Sequence, residues 1–159
     1  MEKKSPSLDK TDRTILALLQ KDASLTTKEL SARLNLTTTP VFERVKRLSR
    51  EGYIQGYTAI LDRKKAGVPM LIFCDVSLKE HNREYLLRFE QQITSLPEVI
   101  ECHHIAGAFD YLLKVVARDM DGYQQFVKEK LAVLENIGRV QSYFVMSEVK
   151  NTTEIPVSV

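Results

Sequence analysis

The chain is predicted to be α+β and built in two unlike parts, and three observations carry that prediction. Apolar residues follow helical spacing in the first third, and after Pro69 they alternate between strand and helix periods. The sign of the charge reverses across the same boundary. Residues 1–61 hold 11 Lys and Arg against 7 Asp and Glu, a net of +4, and residues 70–159 hold 9 against 13, a net of −4. Between them, Asp62-Arg63-Lys64-Lys65-Ala66-Gly67-Val68-Pro69 is charged and then broken by Gly and Pro, which is linker chemistry. The expected domains are 1–61 and 70–159, with 62–69 joining them.

Taken in order, the first part reads as short helices joined by a tight turn, a basic helix and then a hairpin. Thr26 or Thr27 is a candidate N-cap for a helix carrying Leu30 and Leu34 on one face. Asn35 tolerates the left-handed conformation needed at its end. Thr37, Thr38 and Thr39 supply a fresh N-cap, with Pro40 preset for the first helical turn. From Pro40 to Glu51, Val41, Val45 and Leu48 fall at i, i+4 and i+7, while Arg44, Lys46, Arg47 and Arg50 project elsewhere. Gly52 stops the helix. Tyr53-Ile54-Gln55-Gly56-Tyr57-Thr58-Ala59-Ile60-Leu61 reads as a short β-wing bent at Gly56. The sum is a winged helix-turn-helix, whose basic side suits a polyanion.

On that reading Thr38 and Thr39 stand at a helix N-terminus, where the dipole favours a phosphate or a base-edge acceptor. Phe42, Glu43, Lys46 and Arg50 lie away from the packed stripe, within reach of bases or backbone. Lys46 and Arg47 are the expected DNA contacts. Arg44 flanks the stripe, so it can reach a phosphate or pair with a core-side carboxylate such as Asp12.

The second part has a definite order. Residues 70–78 are a strand, 83–96 a helix with Tyr85, Leu86, Phe89 and Ile93 inward, and 99–105 a strand. A turn at Gly107 leads to a strand over 110–117. A helix over 121–134 carries Tyr123, Phe126, Val127, Lys130 and Leu134 inward, and 139–149 is the last strand. The order βαββαβ predicts the ferredoxin-like split βαβ unit, an antiparallel sheet with both helices on one face. The strands are apolar on both faces, Leu71 and Phe73 against Ile72, Cys74 and Val76 in the first and Leu112 and Val116 against Leu113 and Val115 in the third, so one apolar face is left open by the helices. Either the linker and tail shield that side or another copy covers it. A patch of this kind marks an interface, so a homo-oligomer is expected.

Several functions are disfavoured. No apolar run approaches the ~20 residues of a membrane span, and Met1-Glu2-Lys3-Lys4-Ser5-Pro6 lacks the apolar core of a signal peptide, so a cytoplasmic protein is expected, nucleoid-associated through its DNA-binding part. Cys74 and Cys102 sit in apolar runs rather than in a C-x-x-C pair, as small buried hydrophobes do. His103 and His104 beside Glu101 and Cys102 alternate across a strand and cannot easily close one metal site. There is no phosphate loop, nucleophile elbow or acid/base pair, so no enzyme and no cofactor are expected. An RNA-binding sheet would need a basic, aromatic face, and this domain is acidic.

Leu8-Asp9-Lys10-Thr11-Asp12 with Ile15-Leu16 and Leu19-Gln20-Lys21-Asp22, then Glu43-Arg44-Val45-Lys46-Arg47-Leu48, Gly52-Tyr53-Ile54-Gln55-Gly56-Tyr57-Thr58-Ala59, Glu101-Cys102-His103, and Gly107-Ala108-Phe109-Asp110-Tyr111-Leu112-Leu113-Lys114 are similar to the Lrp/AsnC, or feast/famine, family of transcription regulators. The wording is similar to its leucine-responsive branch in particular. The resemblance spans Leu8 to Val149. It implies a sequence-specific regulator binding double-stranded DNA, forming a dimer and then an octamer, and taking a small effector, typically an amino acid. It places that effector at the turn Ile105-Ala106-Gly107-Ala108-Phe109-Asp110-Tyr111. There Gly107, if its φ is positive, would offer backbone N–H groups to a carboxylate, and Asp110 would face an ammonium. Where many family members carry a charged residue, this chain has Ala108. An effector-independent architectural, nucleoid-organising DNA binder shares every DNA-facing feature and is the alternative.

Overall fold

The computed structural model describes residues 8–157. The N-terminal stretch read above for a leader, residues 1–7, and the last two residues of the tail lie outside them. Contacts divide the chain into two units, residues 8–60 with 150–157, and residues 61–149.

In the first unit α1 (Lys10–Lys21), α2 (Thr27–Leu34) and α3 (Thr38–Arg50) pack around Ile15, Leu16, Leu19, Leu30, Val41 and Leu48. The caps explain the boundaries. Asp9 and Asp12 form a reciprocal capping box on α1, and Thr26 and Glu29 form one on α2. Asn35 ends α2 at φ 53°, ψ 45°, the left-handed conformation expected of it. Thr37 is the N-cap of α3, without a side-chain capping bond. Gly52, at φ +80°, closes α3 in a Schellman motif: its N–H donates to Ser49 and that of Tyr53 to Leu48. The helix α1 lay outside the reading from sequence.

The wing departs from expectation. Residues 53–61 contain no paired strand, and Gly56 does not have the positive φ of a two-residue hairpin turn. An isolated two-stranded ribbon is marginal in water, and here only Ile54 reaches the core. The tail also differs. Read as the end of the second domain, it packs with the first unit: Gln20 and Ile155 exchange two hydrogen bonds, and Val157 meets the helical core.

The second unit has the expected order: β1 (Met70–Leu78), α4 (Arg83–Thr94), β2 (Val99–His104), β3 (Tyr111–Ala117), α5 (Met120–Gln125) and β4 (Ile137–Phe144). The sheet runs β2-β3-β1-β4, antiparallel throughout. Ile72, Cys74, Val76 and Leu78 of β1 and Leu113 and Val115 of β3 face the helices, against Phe89, Ile93, Tyr123 and Phe126. Helix α5 runs directly into a π-helical segment, Phe126–Leu131, where the Ala132 N–H reaches back five residues to Val127. The wider turn sends Leu131 inward, fully buried, and leaves Lys130, expected inward, outside on Glu98. Both cysteines are free, Cys74 buried and Cys102 half-buried.

The helix-free face of the sheet is mixed rather than wholly apolar. Leu71 and Val116 are already buried within the one chain, Phe73 and Leu112 are half-buried, and Asp75, Ser77, Lys114, Arg139 and Gln141 make the rest polar. Lys114 stands opposite Phe73 and Asp75 opposite Leu112 on the two central strands, so charged and apolar side chains alternate across this face, with Leu71 and Val116 paired at the end away from the turn.

Because each unit has its own core, Leu48→Ala should destabilise the first by about 2–5 kcal/mol, the cost of a buried cavity. Hydrogen exchange is expected to quicken in α1, α2 and α3 and to stay unchanged in β1 and β3. Equal acceleration in both units would show a shared core.

Candidate nucleic-acid interface and effector turn

Burial along α3 separates its side chains into two sets. Val41 and Leu48 are fully buried, whereas Thr38, Thr39, Phe42, Glu43, Lys46 and Arg50 are exposed. Positions 39, 42, 43, 46 and 50 follow one another at helical spacing, so they make one outward stripe. Lys46 Nζ stands 5.9 Å from the centre of the Phe42 ring, a cation–π distance that directs the ammonium along the stripe. No ion pair engages Lys46 or Arg50 among the described residues.

Arg44 and Arg47 point elsewhere. Arg44 Nη1 donates to Asp12 Oδ1 at 2.7 Å and to Asp9 Oδ2 at 2.5 Å, and Arg47 Nη2 donates to Asp12 Oδ2 at 2.6 Å. Asp12 is 1 % exposed. Its Oδ2 also accepts the Asp9 N–H at 3.2 Å. The backbone N–H of Asp12 and the Arg44 guanidinium outweigh burial and hold the Asp9 carboxyl below its usual range. The carboxylates raise both guanidinium pKa values, Arg44 chiefly through Asp9 and then Asp12, and Arg47 through Asp12. Of the two alternatives for Arg44 the structure has the ion pair, and Arg47 shares it. The signal for Arg47 was its position one turn after Arg44 on the same flank of the packed stripe.

In the second unit the turn between β2 and β3 is closed by the Ile105 N–H on the Asp110 carbonyl at 2.8 Å. Gly107 does not have the positive φ considered for it, and an added Cβ would meet only Ile105 Cγ2, at 3.8 Å. The glycine is therefore not demanded by the backbone here. Asp110 holds the turn to the end of β1. Its N–H donates to the Val76 carbonyl, its Oδ2 accepts the Leu78 N–H at 2.7 Å, and its Oδ1 lies 2.9 Å from His81 Nε2. Burial opposes ionisation, but the Leu78 N–H and His81 prevail, and the carboxyl titrates below its usual range. Tyr111 is buried, its hydroxyl on Glu90 at 2.9 Å.

Ile105 is half-buried, Ala106 and Gly107 are exposed, and Ala108 and Phe109 turn toward the helix-free face of the sheet. There they line a cleft of about 250 Å³ with Asp75, Ser77, Arg139, Gln141 and Tyr143. The Tyr143 hydroxyl donates to Asp75 at 2.7 Å. A carboxylate and a guanidinium thus share one small cleft with an aromatic ring. Sequence reasoning missed Asp75 and Arg139, because only sheet register brings Asp75 opposite Gln141 and Ser77 opposite Arg139.

His103 lies 3.3 Å from Glu101, whereas His104 stacks on Tyr111 on the other side of the strand. No group of three His, Cys, Asp or Glu among the described residues could hold a metal ion, and no helix there is long and apolar enough to cross a membrane.

Comparison with known proteins agrees with this geometry. Residues 8–55 match a winged helix-turn-helix DNA-binding family, and residues 71–155 match the Lrp/AsnC ligand binding domain. The chain is 40 % identical to the leucine-responsive regulatory proteins of Escherichia coli K12 and Klebsiella pneumoniae over 155 residues, covering 96 % of this chain and 94 % of each relative. Among solved structures, a Neisseria meningitidis transcriptional regulator in complex with L-methionine superposes with a TM-score of 0.92 at 34 % identity, covering 96 % of this chain and 98 % of the other. An AsnC family transcriptional regulator from Agrobacterium tumefaciens gives 0.89 at 36 %, covering 94 % and 97 %.

The clamp on the turn has a measurable signature. Asp110→Ala strands the Leu78 N–H and should cost about 1–3 kcal/mol in a denaturant titration, whereas Gly107→Ala should stay within about 1 kcal/mol of the parent. Because the folded-state pKa of Asp110 is depressed, its contribution is complete above the unfolded value of about 3.9 and is lost as pH falls through the lower folded value. The acid limb of the stability profile should therefore flatten in Asp110→Ala. An unchanged limb would remove the clamp.

Proposed function

Since the chain belongs to the Lrp/AsnC family of DNA-binding transcription regulators, we propose that it reads specific sites on double-stranded DNA and changes its assembly in response to an amino acid. The reading rests above all on the outward stripe of α3. Thr38 and Thr39 at the helix N-terminus take phosphate or a base acceptor, Lys46 and Arg50 take phosphate or guanine, and Phe42 and Glu43 bear on the groove between them. Arg44 and Arg47, engaged with Asp12, are left out of the contact set.

The effector is an amino acid held at the turn 105–111. Support comes from the cleft under Ala108 and Phe109, where Asp75 suits an ammonium, Arg139 suits a carboxylate, and the Phe109 ring suits a side chain. The similar Neisseria regulator was solved with L-methionine. Asp110 acts here by holding the turn, not as the counter-ion first expected. A second copy lies over the helix-free face, on the half-buried Phe73 and Leu112 and the charged Lys114 and Asp75 opposite them, forming a dimer and then an octamer. A ligand in the cleft at the margin of that face then bears directly on assembly. The protein works in the cytoplasm, associated with the nucleoid.

Retention of genomic fragments by the full chain, with and without the twenty amino acids, tests both halves. Enrichment of discrete fragments that changes with at least one amino acid is expected, together with a shift in sedimentation under the same amino acid. Ala108→Trp, which fills the cleft, should abolish the response while leaving ligand-free DNA binding intact. Enrichment indifferent to every amino acid would replace the sensor with an architectural DNA binder, and no enrichment over random fragments would sink site-specific recognition.

A further inference from the structure

We propose that Asp12 is a positioning residue for DNA binding, whose carboxylate grips Arg44 and Arg47, sets which face α3 turns outward, and withholds two of that helix's four cations from phosphate. The inference rests on the reading of α3 as the DNA-facing helix and goes beyond it, because Asp12 belongs to α1 and has almost no exposed surface.

Three observations carry it. The two oxygens of one carboxylate are divided between the two arginines, Oδ1 to Arg44 at 2.7 Å and Oδ2 to Arg47 at 2.6 Å. Residues 44 and 47 are one turn apart, so gripping both fixes the roll of α3 about its axis, which a single pair would not. The same carboxylate accepts the Asp9 N–H in the capping box of α1, so the start of one helix and the roll of the other are tied through one group. Finally, Arg47 Nε is buried with no hydrogen-bond partner among the described residues. The hydrogen bond of its guanidinium runs to Asp12, a charge-assisted contact.

An arginine that left for a phosphate would leave one oxygen of a buried carboxylate without its cation, whereas a phosphate contact at an exposed helix face is screened by salt. Arg44 and Arg47 therefore stay, and Lys46 and Arg50 meet the backbone. Phosphate contacts are counted by the dependence of the binding constant on salt, with a logarithmic slope of about 0.9 for each phosphate neutralised on duplex DNA.

Full-length protein titrated into a fluorescent random-sequence duplex over a salt series reads that count, with thermal melting alongside. Lys46→Gln should reduce the slope by about 0.9 for each motif on the DNA. Arg44→Gln and Arg47→Gln should lower the melting temperature and leave the slope where it is. Asp12→Asn, close in shape but uncharged, should steepen the slope by about 0.9 for each arginine released and tighten binding at low salt. An ion pair that served only stability would shift melting in all three and move no slope. The proposal fails if folded Asp12→Asn keeps or loses slope, or if Arg47→Gln loses as much as Lys46→Gln. Should Asp12→Asn not fold, Asp12→Ser, which keeps a capping hydroxyl, is read for the same steepening, and an unchanged or shallower slope in it overturns the proposal.

Discussion

A carboxylate with almost none of its surface in water is a costly anion unless cations and N–H groups surround it, and Asp12 meets that requirement with groups from two helices. The need is mutual. Arg44 and Arg47 would otherwise stand as like charges one turn apart on a helix already carrying Lys46 and Arg50. Burying the countercharge in α1 turns this repulsion into an attachment between helices that few apolar residues hold together. The core of the unit is small, six buried side chains among the described residues with a partly buried rim, so a directional contact matters more than it would in a large one. What α3 offers to solvent is then decided from inside the unit.

The second unit works under a different constraint. Both helices lie on one face of a four-stranded sheet, so every second residue of β1, β3 and β4 is left facing away from them. Natural sheets answer this with polar residues or with a partner, and this face has both, arranged by position. Apolar Leu71, Phe73 and Val116 lie toward the end of the sheet away from the turn, with Lys114 opposite Phe73, while Asp75, Arg139 and Tyr143 gather by the turn that Asp110 pins to the end of β1. The π-helical turn after α5 serves the other face. By rotating Lys130 outward and Leu131 inward it completes the apolar layer without burying a charge.

Much of this was legible wherever one residue type has one local explanation. Asn35 and Gly52 each end a helix because few residues tolerate positive φ, and both were readable at sight. Strand β1 was readable to the residue, because the alternation of Ile72, Cys74 and Val76 stops where Pro69 and Lys79 begin. What eluded the sequence depended on neighbours distant in the chain. Periodicity gives the angle at which Arg47 leaves α3 but not that Asp12, 35 residues earlier, waits there. Asp75 and Arg139 meet only through register across β1 and β4. A π turn needs a tertiary reason to insert a residue, and an α-helical reading of 121–134 therefore put Lys130 on the wrong side. Gly107 misled differently, since a glycine permits a positive φ without requiring one.

The two constraints meet in the strength of DNA binding. A motif that keeps two of its four cations on a buried carboxylate makes few phosphate contacts, and each is worth less than one decade in affinity for each decade of salt. On the proposed division of its cations, such a motif alone would bind weakly and discriminate modestly. Copies joined through the sheet domain, as proposed, would change the arithmetic, because once one motif is docked the others bind at a high effective concentration without any new contact. Affinity then resides in the assembly more than in the helix, and anything that biases assembly controls occupancy. An amino acid at the margin of the sheet face is well placed to do so. A preference of 1.4 kcal/mol for one assembly over another is tenfold in their ratio, and linkage requires that DNA favouring that assembly tighten the hold on the amino acid by the same factor. Under the proposed function, weak individual motifs would thus be what makes the regulator responsive: were Arg44 and Arg47 free to grip phosphate, each motif would stay bound whatever the state of assembly, and an effector would have little left to control.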